Sequence, residues 1–240
     1  KMNKEEFLEE LKKLSIELSE KQINQLNQFY DLLIDWNKKI NLTRIIEEKE
    51  VYLKHFYDSL TITKVVDLKN VSTLCDVGTG AGFPGLVLKL FRPDIQMTFL
   101  DSTKKKLGFI ESVLKECGVS GEILHMRAEE AAQLSKYREK FDFATARAVA
   151  ALPVLSEYCL PFVKVGGKFI AMKGQKGETE AADAQNAIKK CGGATLDIHR
   201  KELCSPNGDK EMRVITEISK ISSTPREFPR HFSKISKRPL

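Results

Sequence analysis

The sequence predicts an α/β protein in which a mostly parallel sheet with crossover helices ends in an antiparallel hairpin and follows a layer of helices. Three observations predict it. From about Val71 short apolar runs alternate with helical stretches, the pattern of strands joined by crossover helices. The last two runs are instead joined directly through Ser205-Pro206-Asn207-Gly208-Asp209, whose Asn-Gly centre suits a hairpin. Before Val71 the apolar residues keep helical spacing only.

Taken in order, Phe7, Leu8, Leu11 and Leu14 mark a first helix. Ser19 with Gln22 has the form of a capping box, and Ile23, Leu26, Phe29, Tyr30, Leu33 and Ile40 carry one apolar face onward. The polar run Trp36-Asn37-Lys38-Lys39-Ile40-Asn41-Leu42-Thr43 ends that helix. A further amphipathic helix is expected over His55-Phe56-Tyr57-Asp58-Ser59-Leu60, with His55 and Asp58, three residues apart, either hydrogen-bonded along its face or taking a direct chemical role. Strands are expected at 73–77, 95–100, 122–126, 141–146 and 168–172, with helices at 85–91, 104–117, 128–135, 152–163 and 178–190. The closing strands fall at 195–203 and 213–218. Three regions follow: an N-terminal helical extension (1–70), a sheet domain (71–219) and a basic C-terminal tail (220–240).

Composition narrows the function. No apolar run approaches the length of a membrane span and no signal-peptide pattern opens the sequence. The five cysteines are scattered, with no C-x-x-C, so a reducing cytoplasm and no metal site are expected. The net charge of +6 is unevenly placed. Residues 1–70 hold 12 basic and 13 acidic side chains, whereas 218–240 hold 6 and 1. A basic tail is either a solvated end or a polyanion contact.

The residues just past each parallel strand are the ones to read for chemistry, because ligands bind at the carboxyl ends of an open sheet. The first strand runs into Gly78-Thr79-Gly80-Ala81-Gly82-Phe83-Pro84. Glycines at that density let backbone approach a nucleotide-type ligand. A dinucleotide fingerprint wants Gly or Ala where Phe83 stands, so S-adenosylmethionine (SAM) is the first candidate, with Gly78, Gly80 and Gly82 in its loop. Asp101 ends the second strand, where a carboxylate can accept two ribose hydroxyls or else cap the next helix. Past the third, Arg127-Ala128-Glu129 offers an acid and an amide to adenine, or a first-turn helix carboxylate. The fourth ends in Ala146-Arg147-Ala148-Val149. It carries neither the Asp/Asn-Pro-Pro-aromatic motif used on base amines nor a cysteine for cytosine C5. Arg147 can donate to guanine O6 or to a phosphate, or serve as a structural ion-pair partner. Lys173, past the fifth strand, is a third candidate beside Arg147 and Arg127 for holding substrate, or a solvated lysine.

Together these pieces resemble the RsmG (GidB) family of 16S rRNA (guanine-N7)-methyltransferases, which have the Rossmann-like seven-stranded sheet of class I SAM-dependent methyltransferases. The matching stretches are W-N-K-K-I-N-L-T (36–43), H-F-Y-D-S-L (55–60), D-V-G-T-G-A-G-F-P-G (76–85), R-A-E (127–129), T-A-R-A-V-A (145–150), V-G-G-K-F-I-A-M-K-G (165–174) and T-P-R-E-F-P-R (224–230). The resemblance departs at His231-Phe232-Ser233. It implies SAM contacts at Gly78, Phe83, Ala128, Glu129 and Arg147, and methylation of a guanine N7 in the decoding-region loop of small-subunit rRNA. RNA contacts are expected from Lys104, Lys105, Arg226, Arg230 and Lys234, and loss of residues 228–240 should weaken RNA binding while sparing SAM binding. A monomer acting on rRNA or a small-subunit intermediate is expected, against a methyltransferase for small molecules or proteins, or a non-catalytic SAM sensor.

Overall fold

The computed structural model describes residues 2–147, 149–204 and 208–240. Ala148 and the Ser205-Pro206-Asn207 part of the expected hairpin loop lie outside the described residues. Seven strands form one sheet in the order β3-β2-β1-β4-β5-β7-β6. They are β1 (Thr73–Val77), β2 (Gln96–Asp101), β3 (Glu122–His125), β4 (Phe141–Arg147), β5 (Val163–Lys173), β6 (Gly193–Cys204) and β7 (Lys210–Lys220). The first five run parallel, and β7 is antiparallel to both β5 and β6. The expected hairpin is present. The order reverses between β1 and β4, the place where an open sheet leaves a crevice.

Alternation along each strand sorts side chains to two buried faces. Leu74, Met97, Phe99, Phe143 and Ile170 join one core, while Cys75, Leu100, Ala144, Phe169 and Ala171 join the other. The second core is covered by α7 (Ala128–Ala131), α8 (Leu152–Cys159), α9 (Gly177–Asp183) and α10 (Gln185–Lys190). The first is covered by α5 (Gly85–Phe91) and α6 (Lys104–Glu116), with the N-terminal helices α1 (Lys4–Lys13) and α2 (Glu20–Asn37) in the same cluster. Phe7, Leu11, Phe29 and Leu33 are almost wholly buried there. Burying a side chain of that size contributes about 1.5–3 kcal/mol. The Ser19/Gln22 capping box opens α2 as expected, with Gln22 N–H donating to Ser19 Oγ at 3.1 Å.

Four local expectations change. Residues 52–57 form a π-helix between the short α-helical pieces Glu48–Val51 (α3) and Asp58–Leu60 (α4). The wide turn places Lys54, His55 and Asp58 around one point outside the helix, so His55 and Asp58 bond to Arg147 rather than to each other. The expected helix at 178–190 is broken at Ala184. Strand β5 starts at Val163, five residues early, because Gly166 and Gly167 lie within the strand and not before it. Pro84 is the N-cap of α5, and the Phe83-Pro84 peptide is cis. A final helix, α11 (Phe232–Lys237), was not expected; His231 Nδ1 caps it by accepting the Ser233 N–H.

Candidate active site

Four strand ends meet a cavity of about 550 Å³. The glycine loop after β1 forms its floor. Gly78 has φ +66°, and a Cβ there would lie 2.8 Å from Val149 Cγ2, so only glycine keeps both the turn and the wall. Beneath the loop the buried Asp76 accepts from Thr79 Oγ at 2.7 Å and from the Gly85 N–H at 3.0 Å. Burial pushes Asp76 up to about 7, against the pull of those two donors.

Asp101 stands at the end of β2 with its carboxylate held by backbone. Oδ2 accepts the Gly80 N–H at 2.9 Å and Oδ1 the Thr103 N–H at 2.8 Å. Each oxygen keeps a lone pair for a ligand hydroxyl. The bond to Gly80 locks the glycine loop to β2. Past β3, Glu129 is buried at the cavity edge and accepts from Arg127 Nε at 2.6 Å. That bond raises the Arg127 pKa further. The other face of the Arg127 guanidinium lies 3.9 Å from the centre of the Phe232 ring, so α11 backs the residue that orients Glu129.

Arg147, at the end of β4, is fixed by the N-terminal layer. Nη1 donates to the Lys54 carbonyl at 3.1 Å and lies 3.5 Å from Asp58 Oδ2, while Nη2 meets His55 Nδ1 at 2.9 Å. Desolvation lowers its pKa and Asp58 raises it; a guanidinium stays charged under that balance. Phe83 closes the group: its ring is stacked on His55 at 4.2 Å and on Phe29 at 5.2 Å, with Arg147 Cζ 5.0 Å from its centre. The bulky sixth residue of the glycine loop thus anchors the loop to the helical layer, which a glycine there would not do.

Burial and the Arg147 charge push His55 down to about 2, so the native ring is neutral. The unfolded ring titrates near its ordinary value, 6.5. The unfolded state therefore binds the extra proton, and this group's stabilisation is present above about pH 6.5 and lost as pH falls below it. His55→Gln keeps an acceptor for Arg147 and a donor for Thr43 without that proton. Between pH 6.5 and 5 its unfolding free energy should fall less than wild type's, by up to about 1.4 kcal/mol per pH unit. Parallel pH profiles for the two proteins would contradict this.

Of the expected cofactor residues, Gly78, Gly80, Phe83, Asp101, Ala128, Glu129 and Arg147 all line the cavity, as does Arg127. Gly82 lies under the loop: its N–H donates to the Thr79 carbonyl and its Cα packs against Leu86. Lys173 is not at the cavity. Its ammonium is buried, donates to the Ala150 carbonyl and pairs with Glu180 at 3.0 Å. Arg230 is likewise turned inward, onto Glu157 at 2.8 Å. Lys104, Lys105, Arg226 and Lys234 are exposed. Sequence reasoning did not assign Thr43, His55, Lys106, Val149 and Tyr158 to the cavity, although all line it. The N-L-T motif at 41–43 was a signal, but nothing local ties it to β4.

The donor set fits SAM. Asp101 has lone pairs that could accept ribose hydroxyls, Glu129 and the start of α7 could meet an adenine, and the loop at Gly78 offers bare backbone to the rest of the molecule. Among the described residues, no group of three or more His, Cys, Asp or Glu is arranged to hold a metal ion, and no helix is long and apolar enough to cross a membrane.

Residues 22–206 match the family model GidB, rRNA small subunit methyltransferase G. Full-length similarity extends to curated proteins called ribosomal RNA small subunit methyltransferase G. The protein from Lactobacillus johnsonii is 47% identical over 242 residues and that from Brevibacillus brevis 45% over 240, with all of both chains covered in each case. Solved structures of the same fold include a precorrin-6y C5,15-methyltransferase from Geobacter metallireducens, with TM-score 0.53 at 13% identity over 78% of this chain and 96% of that one. Another is the cyclase SpnF, with TM-score 0.56 at 15% identity over 82% and 96%. A cyclase among them makes plain that likeness at this level speaks for the fold alone. With residues 22–206 matched by the family model and full-length relatives at 45–47% identity, the chain belongs to the GidB family, rRNA small subunit methyltransferase G.

Proposed function

We propose that the protein transfers the methyl group of SAM to N7 of a guanine in the decoding-region loop of 16S rRNA. The observation that carries this is that, among the described residues lining the cavity, there is no cysteine and the carboxylates are already engaged, Asp101 by the Gly80 and Thr103 N–H groups and Glu129 by Arg127. Both nitrogens of His55, the only imidazole there, are engaged, by Arg147 and Thr43. Guanine N7 offers an in-plane lone pair and carries no proton, so its methylation needs neither a base nor a nucleophile. An exocyclic amine or a cytosine C5 would need one or the other.

SAM supplies an electrophilic methyl group on a sulfonium. The residues of this chain then have two tasks. Asp101, Ala128 and Glu129 hold the adenosine end with Gly78 and Phe83 at the turn, fixing direction. Arg147, held rigid by Lys54, His55 and Asp58, presents its remaining N–H groups to the substrate side, where positioning and preorganised charge account for the rate. Arg127 is a lesser candidate for substrate contact, because Glu129 and Phe232 already use it. Lys104, Lys105, Arg226 and Lys234, with Lys106 at the cavity wall, provide exposed charge for RNA backbone. Binding that rests on them weakens with salt.

The helical layer 1–70 supplies the substrate-side wall, 71–219 the cofactor side and 220–240 the strap behind Arg127. A ribosomal RNA substrate supports a cytoplasmic location, and the protein is taken to act as a monomer. Tritiated methyl transfer to small subunits, free rRNA and total protein tests the reading, followed by mapping of the modified base. Label in a guanine N7 of small-subunit RNA is the expected result. Label on a base amine or in protein refutes it.

A further inference from the structure

Three hydrogen bonds determine what the Thr43 hydroxyl is able to do. A guanidinium has donors only, so in the 2.9 Å bond between Arg147 Nη2 and His55 Nδ1 the imidazole nitrogen is the acceptor. The one ring proton of neutral His55 therefore sits on Nε2, which donates to Thr43 Oγ at 2.9 Å. The Ile45 N–H donates to the same oxygen at 3.0 Å. Both lone pairs of the hydroxyl are filled, and among the described residues nothing accepts its proton. The residue is also fixed in place: Asn37 accepts the Thr43 N–H at 3.0 Å and donates to its carbonyl at 3.0 Å. Thr43 lines the cavity, so its O–H is offered to whatever occupies that space.

We propose that Thr43 reads the six-position of the target purine, donating to guanine O6 and so selecting guanine over adenine. The proposal rests on the guanine-N7 reading above and names the residue that supplies its base choice. N7 is an acceptor in both purines, so the reacting atom itself cannot discriminate. The neighbouring atom can. Guanine has the O6 acceptor there and adenine an amine donor. A hydroxyl restricted to donating is matched to the first and opposed to the second.

The strand order supports this placement. Asp101, Ala128 and Glu129 stand at the ends of β2 and β3, on one side of β1. Arg147 stands at the end of β4 on the other side, with His55 and Thr43 attached to it from the N-terminal layer. With adenosine on the first side, the methyl acceptor lies against the second. Arg147 then has a role beyond its own contacts: it sets the His55 tautomer, and the tautomer sets the polarity of Thr43.

The test measures wild type, Thr43→Val and Thr43→Ser on small-subunit RNA carrying guanine or 2-aminopurine at the methylated position. 2-Aminopurine keeps N7 and the 2-amine but lacks O6. Wild type should lose about tenfold in kcat/KM on 2-aminopurine, the worth of one hydrogen bond. Thr43→Val should lose about tenfold on guanine and nothing further on 2-aminopurine. Thr43→Ser should recover to within about threefold of wild type, and SAM affinity should stay within about twofold in all three. A structural defect alone slows Thr43→Val on both substrates and leaves its O6 sensitivity intact, which overturns the proposal. So does a tenfold loss of SAM affinity with O6 sensitivity unchanged, because the hydroxyl then serves the cofactor. Wild-type methylation at an atom other than N7 overturns the functional reading together with this proposal, whereas N7 methylation with additive losses overturns the role of Thr43 alone.

Discussion

Arg147→Ala is expected to abolish turnover and also to destabilise the protein by on the order of 3 kcal/mol, about 6–12 °C in melting temperature for a chain of this size. Removing the side chain strands Asp58. That carboxyl is 2% exposed; among the described residues its Oδ2 has only Arg147 at 3.5 Å and Arg213 at 3.4 Å, and its Oδ1 has no hydrogen-bond partner. Desolvation pushes the Asp58 pKa up, and Arg147 is the strongest of the charges opposing it. Without Arg147 the pocket holds either a poorly paired charge or a proton taken up at a cost. The same deletion frees the Lys54 carbonyl and His55 Nδ1. The buried pair makes the variant unstable as well as inactive. Arg147→Ala should therefore be measured beside Arg147→Ala/Asp58→Asn, which removes the stranded charge. The double variant should regain about 2 kcal/mol of stability and none of the turnover. A single variant that melts with wild type would contradict the buried-pair account. A double variant with normal turnover would remove Arg147 from the reaction.

What could be read from the chain beforehand follows the range of the interaction concerned. Strand β1 and helix α5 came out with their true limits because an apolar run, a glycine cluster and a proline are all local signals. The π-helix at 52–57 did not, since one extra residue per turn barely disturbs apolar spacing. That register nevertheless decides the site, because it turns Lys54, His55 and Asp58 toward a residue some ninety positions later. The cofactor side was legible for the opposite reason: Gly78, Asp101 and Glu129 each lie at, or within four residues of, the end of a strand whose position could be counted. Lys173 and Arg230 show the limit of counting. Both are cations in the expected places, and both point inward, because Glu180 and Glu157 leave carboxylates that need them.

Removing residues 228–240 is expected to weaken SAM binding and to lower the melting temperature by about 10 °C, where the basic composition of the tail suggested loss of RNA affinity alone. Glu157 has no exposed surface, and its carboxylate receives the Arg230 N–H at 2.8 Å, Nε at 3.0 Å and Nη2 at 2.8 Å. Deleting that partner leaves a buried charge uncompensated, an effect of roughly 3–5 kcal/mol. Phe228 and Ile235 lose their burial as well, and the bonds from Arg138 to the Phe228 carbonyl and from Gln133 to the Pro229 carbonyl go with them. The effect on the cofactor is separable from this collapse through Phe232, which is 41% exposed and anchors little beyond Arg127. Phe232→Ala should keep the fold, release the guanidinium that holds Glu129, and reduce SAM affinity about two- to fivefold, the worth of an exposed cation–π contact. Calorimetric titration with SAM reads this directly. Unchanged affinity would detach the tail from the cofactor site and leave Arg226 and Lys234 as its functional residues. The expected loss instead makes the tail a strap whose seating the cofactor site senses through a single stacked arginine.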